Sequence, residues 1–318
     1  EYRKYFFRYA SEFGFQSFPS VKTLETVTDD PKELNPFSYV MEKHQRNYGG
    51  NGKIAKYMQA AYRYPENFSD FVYASQLLQA DGIRYGVEHY RRNRGRCMGA
   101  IYWQLNDCWP VISWSSIDYY GRWKALHYYA KRFFAPVMLS CEEQSWMTVE
   151  ADMNRQHFEF EKSIRLNVTN ETLDAHRVLV KWAVRKTDAT ILREEEQWLE
   201  VPALSAVWMD KVELPQIDCF NEYVSYEAWE NDQIISQGTV IFSYPKYFHY
   251  LNPGLAVRVD GDEIVVKAEA YAKSVEIRNE NDDLILEDNY FDMNAGEYRV
   301  KILDGKPDGL KVRSVYDI

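Results

Sequence analysis

The sequence predicts an α/β segment at residues 1–136 followed by all-β domains at 137–245 and 246–318. The fold class is the C-terminal part of a (β/α)8 TIM barrel with two immunoglobulin-like β-sandwich domains behind it. Three observations predict this. Two short apolar runs, Tyr5-Phe6-Phe7-Arg8-Tyr9-Ala10 and Gly99-Ala100-Ile101-Tyr102, are separated by helical periodicity and followed by more of it. After Pro136 the apolar residues switch to strict alternation with turn signals between the runs. A linker from Pro245 to Pro253 then precedes a second set of alternating runs.

In chain order, the first apolar run reads as a buried strand that ends in a loop at Gly14, with Pro19 beyond. Residues 21–52 are mixed, broken by Pro31 and Pro36 and closed by a Gly49-Gly50-Asn51-Gly52 turn. Residues 53–63 have a helical pattern. A longer helix is expected over 68–92, with Asn67 or Ser69 as its N-cap. Phe71, Ser75, Leu78, Gly82 and Tyr85 would form its one narrow packing face. The basic run Arg91-Arg92-Asn93-Arg94-Gly95-Arg96 suits the cation-favouring end of that helix. Residues 97–104 are short, apolar and glycine-containing, as a fully buried parallel strand requires. A Trp- and Ser-rich loop follows. A helix over 119–134, with Trp123, Leu126, Ala130 and Phe133 as its buried stripe, stops at Ala135-Pro136. A whole barrel takes about 250 residues, so this order of strand, helices, strand and helix fits two of its units, which the resemblance given below places last.

The alternating runs come next. Ile164, Leu166 and Val168 alternate, as do Val178, Val180, Trp182 and Val184, and later Val224, Tyr226 and Ala228. These are half-buried antiparallel strands of a sandwich. The Glu194-Glu195-Glu196 run is an exposed turn or face. In the last domain Leu255, Val257 and Val259 lead to an Asp260-Gly261 turn, from which Ile264, Val266 and Ala268 return. Val275-Glu276-Ile277, residues 298–302 and Leu310-Lys311-Val312 supply further strands.

Two stretches are specific enough to carry a resemblance. Ser11-Glu12-Phe13-Gly14-Phe15-Gln16-Ser17-Phe18-Pro19 resembles the nucleophile segment of the β-mannosidases of glycoside hydrolase family 2. The run Ile101-Tyr102-Trp103-Gln104-Leu105-Asn106-Asp107-Cys108-Trp109-Pro110 is similar to that family's last barrel strand and its loop. Ser113-Trp114-Ser115-Ser116 and Gly121-Arg122-Trp123-Lys124-Ala125-Leu126-His127-Tyr128 continue the likeness into the next helix. Asp288-Asn289-Tyr290-Phe291-Asp292, then Gly296-Glu297, resembles the family's C-terminal sandwich, so the likeness spans essentially the whole chain. His44-Gln45-Arg46 also has a counterpart in the family, and His44 is read as a loop-ordering residue rather than a substrate contact.

The resemblance implies a retaining exo-β-mannosidase acting on terminal non-reducing β-D-mannose of a β-mannoside or oligosaccharide. Retaining glycosidases need two carboxyl groups about 5–5.5 Å apart, one as nucleophile and one as acid/base. Glu12 is the candidate nucleophile, from its place at a strand end and from the family match; the bland alternative is a salt-bridged surface glutamate. The family's acid/base is a glutamate after an asparagine on an earlier barrel strand. No residue here inherits that role. The chain is therefore read as the C-terminal piece of a longer protein, inactive without the N-terminal remainder of the same polypeptide. By the same likeness Trp103 would form the apolar floor under the −1 sugar. Gln104 and Asn106 would bond sugar hydroxyls or each other, and Asp107 would order the loop or contact sugar. Trp109 and Trp114 either line the pocket rim or pack on the sandwich. Gln16 and Ser11 flank Glu12, with Ser11 facing away from it along the strand.

Composition narrows the alternatives. The formal charge of −10 disfavours a nucleic-acid groove or an anionic membrane surface, and no apolar run approaches the ~20 residues that span a bilayer. Cys97, Cys108, Cys141 and Cys219 show no paired short spacing and are read as structural thiols, which favours a reducing, cytoplasmic setting over a secreted or periplasmic one. The histidines, His44, His89, His127, His157, His176 and His249, are dispersed, with no metal-ligating pair. No phosphate loop or Gly-x-Ser-x-Gly elbow occurs. The proposed chemistry needs no cofactor. Two rivals remain: a non-catalytic carbohydrate-binding or subunit-docking sandwich with a barrel remnant, and another family 2 exo-glycosidase, a β-galactosidase or β-glucuronidase. The latter is disfavoured because those last-strand motifs differ from the one here.

Overall fold

The computed structural model describes residues 2–149 and 160–318; His157 lies outside the described residues. Two compact units result. One gathers Ala10–Gly86, Ala100–Lys131 and Asn252–Ile318, and the other gathers Glu1–Tyr9, Val87–Gly99 and Arg132–Leu251.

In the first unit β1 (Ala10–Phe13) and β2 (Ala100–Tyr102) pair in parallel, with Ala10 opposite Ala100 and Phe13 opposite Tyr102. Both are shorter and more exposed than expected. Ile101 is 51% exposed, and the apolar lead-in to β1 is not strand at all: Tyr5, Phe6, Phe7 and Tyr9 are exposed. The reason is the size of the sheet. A parallel strand is buried on both faces only when neighbours and helices flank it, and this sheet has two strands among the described residues.

Among the described residues five α-helices follow: α1 (Val21–Leu24), α2 (Tyr39–Lys43), α3 (Gly50–Ala61), α4 (Phe68–Arg92) and α5 (Ala125–Phe133). The expected four-residue turn before α3 is only its cap, Gly49 at φ 68°; Gly50, Asn51 and Gly52 already form the first helical turn. The Asn51 side chain ties that turn back to the Pro36 carbonyl at 2.7 Å. Of the two cap candidates for α4, Asn67 takes the role, its Oδ1 accepting from the Asp70 amide at 3.0 Å. The packing face of α4 differs from the expected one. Phe71 and Ser75 are buried, but Leu78, Gly82 and Tyr85 lie on the more open side, while Leu77, Gln79, Ala80 and Ile83 are fully buried. The helix is enclosed on most sides, so hydropathy spacing alone picked the wrong continuation. α5 starts six residues later than expected. Asp118 Oδ1 accepts from the Tyr120 and Arg122 amides, both at 3.0 Å, and holds residues 118–122 in a turn. Leu126, Ala130 and Phe133 are buried as expected, whereas Trp123 precedes the helix and is half-buried.

The second unit holds β3 (Val137–Gln144), β4 (Ser163–Asn170), β5 (His176–Lys186), β6 (Ile191–Val201), β7 (Ser205–Trp208), β8 (Val212–Glu213), β9 (Glu222–Glu230) and β10 (Gln233–Ile241). One sheet runs β10-β9-β5-β6 and the other β3-β4-β7, with β8 on β4. Every expected alternating residue points into one core: Ile164, Leu166, Val168, Val178, Val180, Trp182, Val184, Val224, Tyr226 and Ala228. Each such side chain contributes about 1.5–3 kcal/mol by leaving water. The Glu194-Glu195-Glu196 run is the exposed part of β6, a face and not a turn.

The first unit is completed by β11 (Ala256–Asp260), β12 (Glu263–Ala268), β13 (Ala272–Arg278), β14 (Ile285–Leu286), β15 (Phe291–Met293), β16 (Gly296–Asp304) and β17 (Lys311–Arg313), in sheets β11-β12-β16-β14 and β15-β13-β17. The expected hairpin forms, with Asp260 opposite Glu263 and Gly261 at φ 67°. Ile264, Val266 and Ala268 are buried, while Val259, on the edge strand, is exposed.

Candidate active site

A cavity of about 700 Å³ opens in the first unit. Glu12, at the end of β1, lines it together with Trp103, Gln104, Asn106 and Asp107 from the loop after β2; Arg46, Cys108, Trp109 and Trp114 add to the wall. All five residues singled out in the sequence therefore meet at one place, although 91 positions separate Glu12 from Trp103. The Glu12 carboxylate carries no ion pair or hydrogen bond among the described residues.

The two loops are tied to each other along their length. Trp103 N donates to the Phe13 carbonyl at 2.7 Å and Ser17 N to that of Ser113 at 3.0 Å, while Gln104 N closes the second loop on itself by donating to the Trp114 carbonyl at 3.0 Å. Gly14 is required where they meet, since a Cβ there would fall 2.5 Å from the Trp103 carbonyl oxygen. Asp107 is 9% exposed and works within its own loop. Its Oδ1 accepts from Ser113 Oγ at 2.7 Å and Gln104 Nε2 at 3.2 Å, and its Oδ2 accepts from Ser115 Oγ at 2.5 Å. Gln104 Nε2 also donates to the Asn106 carbonyl at 3.0 Å. Trp103 keeps 45% of its surface open, and the Trp103–Gln104 peptide is cis. Trp109 and Trp114 belong to the cavity wall. Below the loop, Tyr102 and Ser116 hydroxyls lie 2.8 Å apart, and burial pushes the phenol pKa up against the opposing effect of that bond.

His44 is a loop-ordering residue. Its Nδ1 lies 2.6 Å from the Pro110 carbonyl oxygen, and its ring packs on Trp109 at 5.0 Å between centroids. The neighbouring Gln45 is held harder still: Oε1 accepts from Gln16 Nε2 at 2.6 Å, and Nε2 donates to Asn51 Oδ1 at 2.8 Å. That bracket sets Arg46 into the cavity wall.

Sequence reading missed Gln79. This fully buried side chain of α4 donates to the carbonyls of Phe15 at 2.8 Å, Trp114 at 3.0 Å and Ser115 at 3.3 Å, and accepts from Ser17 Oγ at 2.7 Å. One amide thus pins both cavity loops. The available signal was the four-residue spacing Phe71, Ser75, Gln79, which a purely apolar search discards. Among the described residues no group of three or more His, Cys, Asp or Glu converges to hold a metal ion.

Comparison with known proteins extends this picture. Residues 162–247 match the family profile described as Mannosidase Ig/CBM-like domain, and residues 250–318 match an Ig-fold domain profile. The chain is 30% identical over 337 aligned positions to "Beta-mannosidase B" of Thermothelomyces thermophilus, covering 97% of this chain and 39% of that protein. The chain belongs with the β-mannosidases of glycoside hydrolase family 2 and corresponds to their C-terminal part. A 39% identity to "Beta-mannosidase" of Capra hircus spans 41% of this chain and 16% of that one. In solved structures, the β-D-mannosidase of Dictyoglomus thermophilum superposes with a TM-score of 0.83 at 25% identity, over 98% of this chain and 38% of that one. The exo-chitosanase of Amycolatopsis orientalis, at TM-score 0.65 and 15% identity over 94% of this chain and 41% of that one, shows the same fold alone. The chain thus spans less than half the length of the family members it matches.

Proposed function

We propose that the chain supplies the nucleophile side of the active site of a retaining exo-β-mannosidase that releases terminal non-reducing β-D-mannose. In this reading residues 1–136 are the last two βα units of a (β/α)8 barrel, followed by sandwiches at 137–245 and 246–318. The observation that carries it is the convergence of Glu12, without an internal partner, on a cavity shared with Trp103, Gln104, Asn106 and Asp107, in a chain aligned over 97% of its length with a β-mannosidase.

The chemistry follows from carboxylate reactivity. Glu12 attacks the anomeric carbon through an oxocarbenium-like transition state that its negative charge stabilises; the bond to the aglycone oxygen breaks, the aglycone leaves as its protonated alcohol, and water then cleaves the resulting glycosyl ester to mannose and the free carboxylate. Trp103 offers an apolar face to the ring, and Asn106 and Gln104 face its hydroxyls. Both Asp107 oxygens already accept bonds inside the loop, so Asp107 serves as a brace. The proton donor comes from the N-terminal remainder of the polypeptide, and the isolated chain has no turnover. The substrate is a β-mannoside or oligosaccharide, and the setting is cytoplasmic.

The test is mechanism-based labelling of the complete polypeptide with a 2-fluoro-mannosyl inactivator, followed by digestion and mass spectrometry. The label is expected on Glu12. A polypeptide that hydrolyses β-mannosides but carries the label on another residue removes Glu12 from the mechanism.

A further inference from the structure

Three buried polar side chains of α4, Ser75, Gln76 and Gln79, hold the loop that follows Glu12. Ser75 Oγ accepts from the Phe18 amide at 3.1 Å. Gln76 Nε2 donates to the Phe18 carbonyl at 3.1 Å, and its Oε1 accepts from the Ala125 amide, at the start of α5, at 3.1 Å. The buried Lys124 Nζ adds a bond to the Ser17 carbonyl at 3.3 Å, with Asp107 and Asp118 as the negative charges acting on it. Gln79 does more than any of these. Its Nε2 faces the carbonyls of Phe15, Trp114 and Ser115, and its Oε1 faces the Ser17 hydroxyl. Carbonyl oxygens only accept, so the amide nitrogen has to be the atom turned toward them. The Phe15 and Ser115 carbonyls take no other bond among the described residues.

A primary amide of this length satisfies all four partners. A leucine would leave three carbonyls and a hydroxyl buried without it, and a carboxylate would set its own oxygens against theirs. The peptides held are those that place the two sides of the cavity. Phe15 follows Glu12 by three residues, and Trp114 and Ser115 end the stretch that carries Trp103, Gln104, Asn106 and Asp107. Gln79 itself is not part of the cavity wall, so it acts only through the loops. We propose that Gln79 is a positioning residue: its amide fixes the separation between the Glu12 carboxylate and the Trp103 face, so that the nucleophile and the sugar ring meet in attacking geometry. This rests on reading the cavity as the active site. Misplacing a reacting group by about 1 Å costs about 10²-fold in rate. The loss should therefore fall on kcat, while KM, set by wall residues that remain in place on their own loop, changes little.

Q79L, Q79E and Q76L are compared with the wild type in the complete polypeptide, by steady-state kinetics on a β-mannoside and by hydrogen exchange corrected for intrinsic rates. Q79L should lower kcat about 10²-fold with KM little changed. Its exchange in residues 13–19 and 104–116 should rise about tenfold, the scale of one buried hydrogen-bonding partner lost. In Q79E, burial among carbonyl oxygens favours the neutral acid, whose O–H can replace one of the donated bonds. Relative to the wild type at the same pH, Q79E should therefore be protected in acid and loosened in alkali. Q79L, with nothing to titrate at that position, should be loose at both. Q76L removes a buried amide of the same helix and should leave residues 104–116 at the wild-type rate. A wild-type kcat in Q79L overturns the proposal. So does a Q79L loss that extends equally to β12 and β16, a Q76L that loosens residues 104–116 as much, or a Q79E no tighter than Q79L in acid. The Glu12 assignment stands or falls separately, on the position of the label, because exchange reads the loops without reference to the nucleophile.

Discussion

Glu12 and Lys124 show how differently two charged residues are treated in one site. The carboxylate faces the cavity with no internal partner, while the amine is sealed beneath it, 3.3 Å from the Ser17 carbonyl. Lys124 also makes a prediction for stability. Its folded pKa of about 8 is below the ordinary 10.5, so between those values the unfolded chain binds the proton that the folded chain has released. Folding stability from this group is therefore greatest above 10.5 and is lost as pH falls through about 8. The urea midpoint of the wild type should gain on that of K124M as pH rises across this window. A difference between the two proteins that stays constant with pH would rule out the titration.

α4 is the element through which the site is held. It starts at Asn67, whose side chain satisfies the Asp70 amide at 3.0 Å, and it delivers Gln79 to four partners on the two cavity loops. Asn67→Ala should lower stability by about 1 kcal/mol, as loss of a helix cap does, and chemical denaturation measures it. The existence, length and cap of α4 were legible because capping and helical periodicity are local. Its inward face was not: enclosure on most sides buries Gln76 and Gln79 alongside Leu77 and Ile83, and apolar spacing carries no signal for a buried amide that is fully hydrogen-bonded. The start of α5 was misplaced for a related reason, since a carboxylate folding back on two amides competes with the helix for the same residues.

At the level of the whole molecule, each compact unit gathers segments from distant parts of the chain. No disulfide supports either one: Cys97, Cys108, Cys141 and Cys219 are all free thiols. The thermal midpoint should therefore be the same with and without a reductant, and a drop on reduction would show a bond that this fold does not contain. Cohesion must come from burial, as in the single core built by the alternating residues of β4, β5 and β9. Likeness of fold extends to an exo-chitosanase at 15% identity.

Alternation along a strand and caps at a helix end arise from neighbours in sequence, and for that reason the sandwiches, the Asp260-Gly261 hairpin and the span of α4 could be read directly from residue order. The Glu12 and Trp103 segments were recognisable too, because each is a contiguous motif. Polar groups that converge from far-apart segments leave no period to read. Gln79 beneath two loops, Gln45 between Gln16 and Asn51, and Lys124 between Asp107 and Asp118 became visible only after folding brought them together. The exposure of Ile101 belongs with them, because how deeply a strand is buried depends on how many neighbours its sheet supplies.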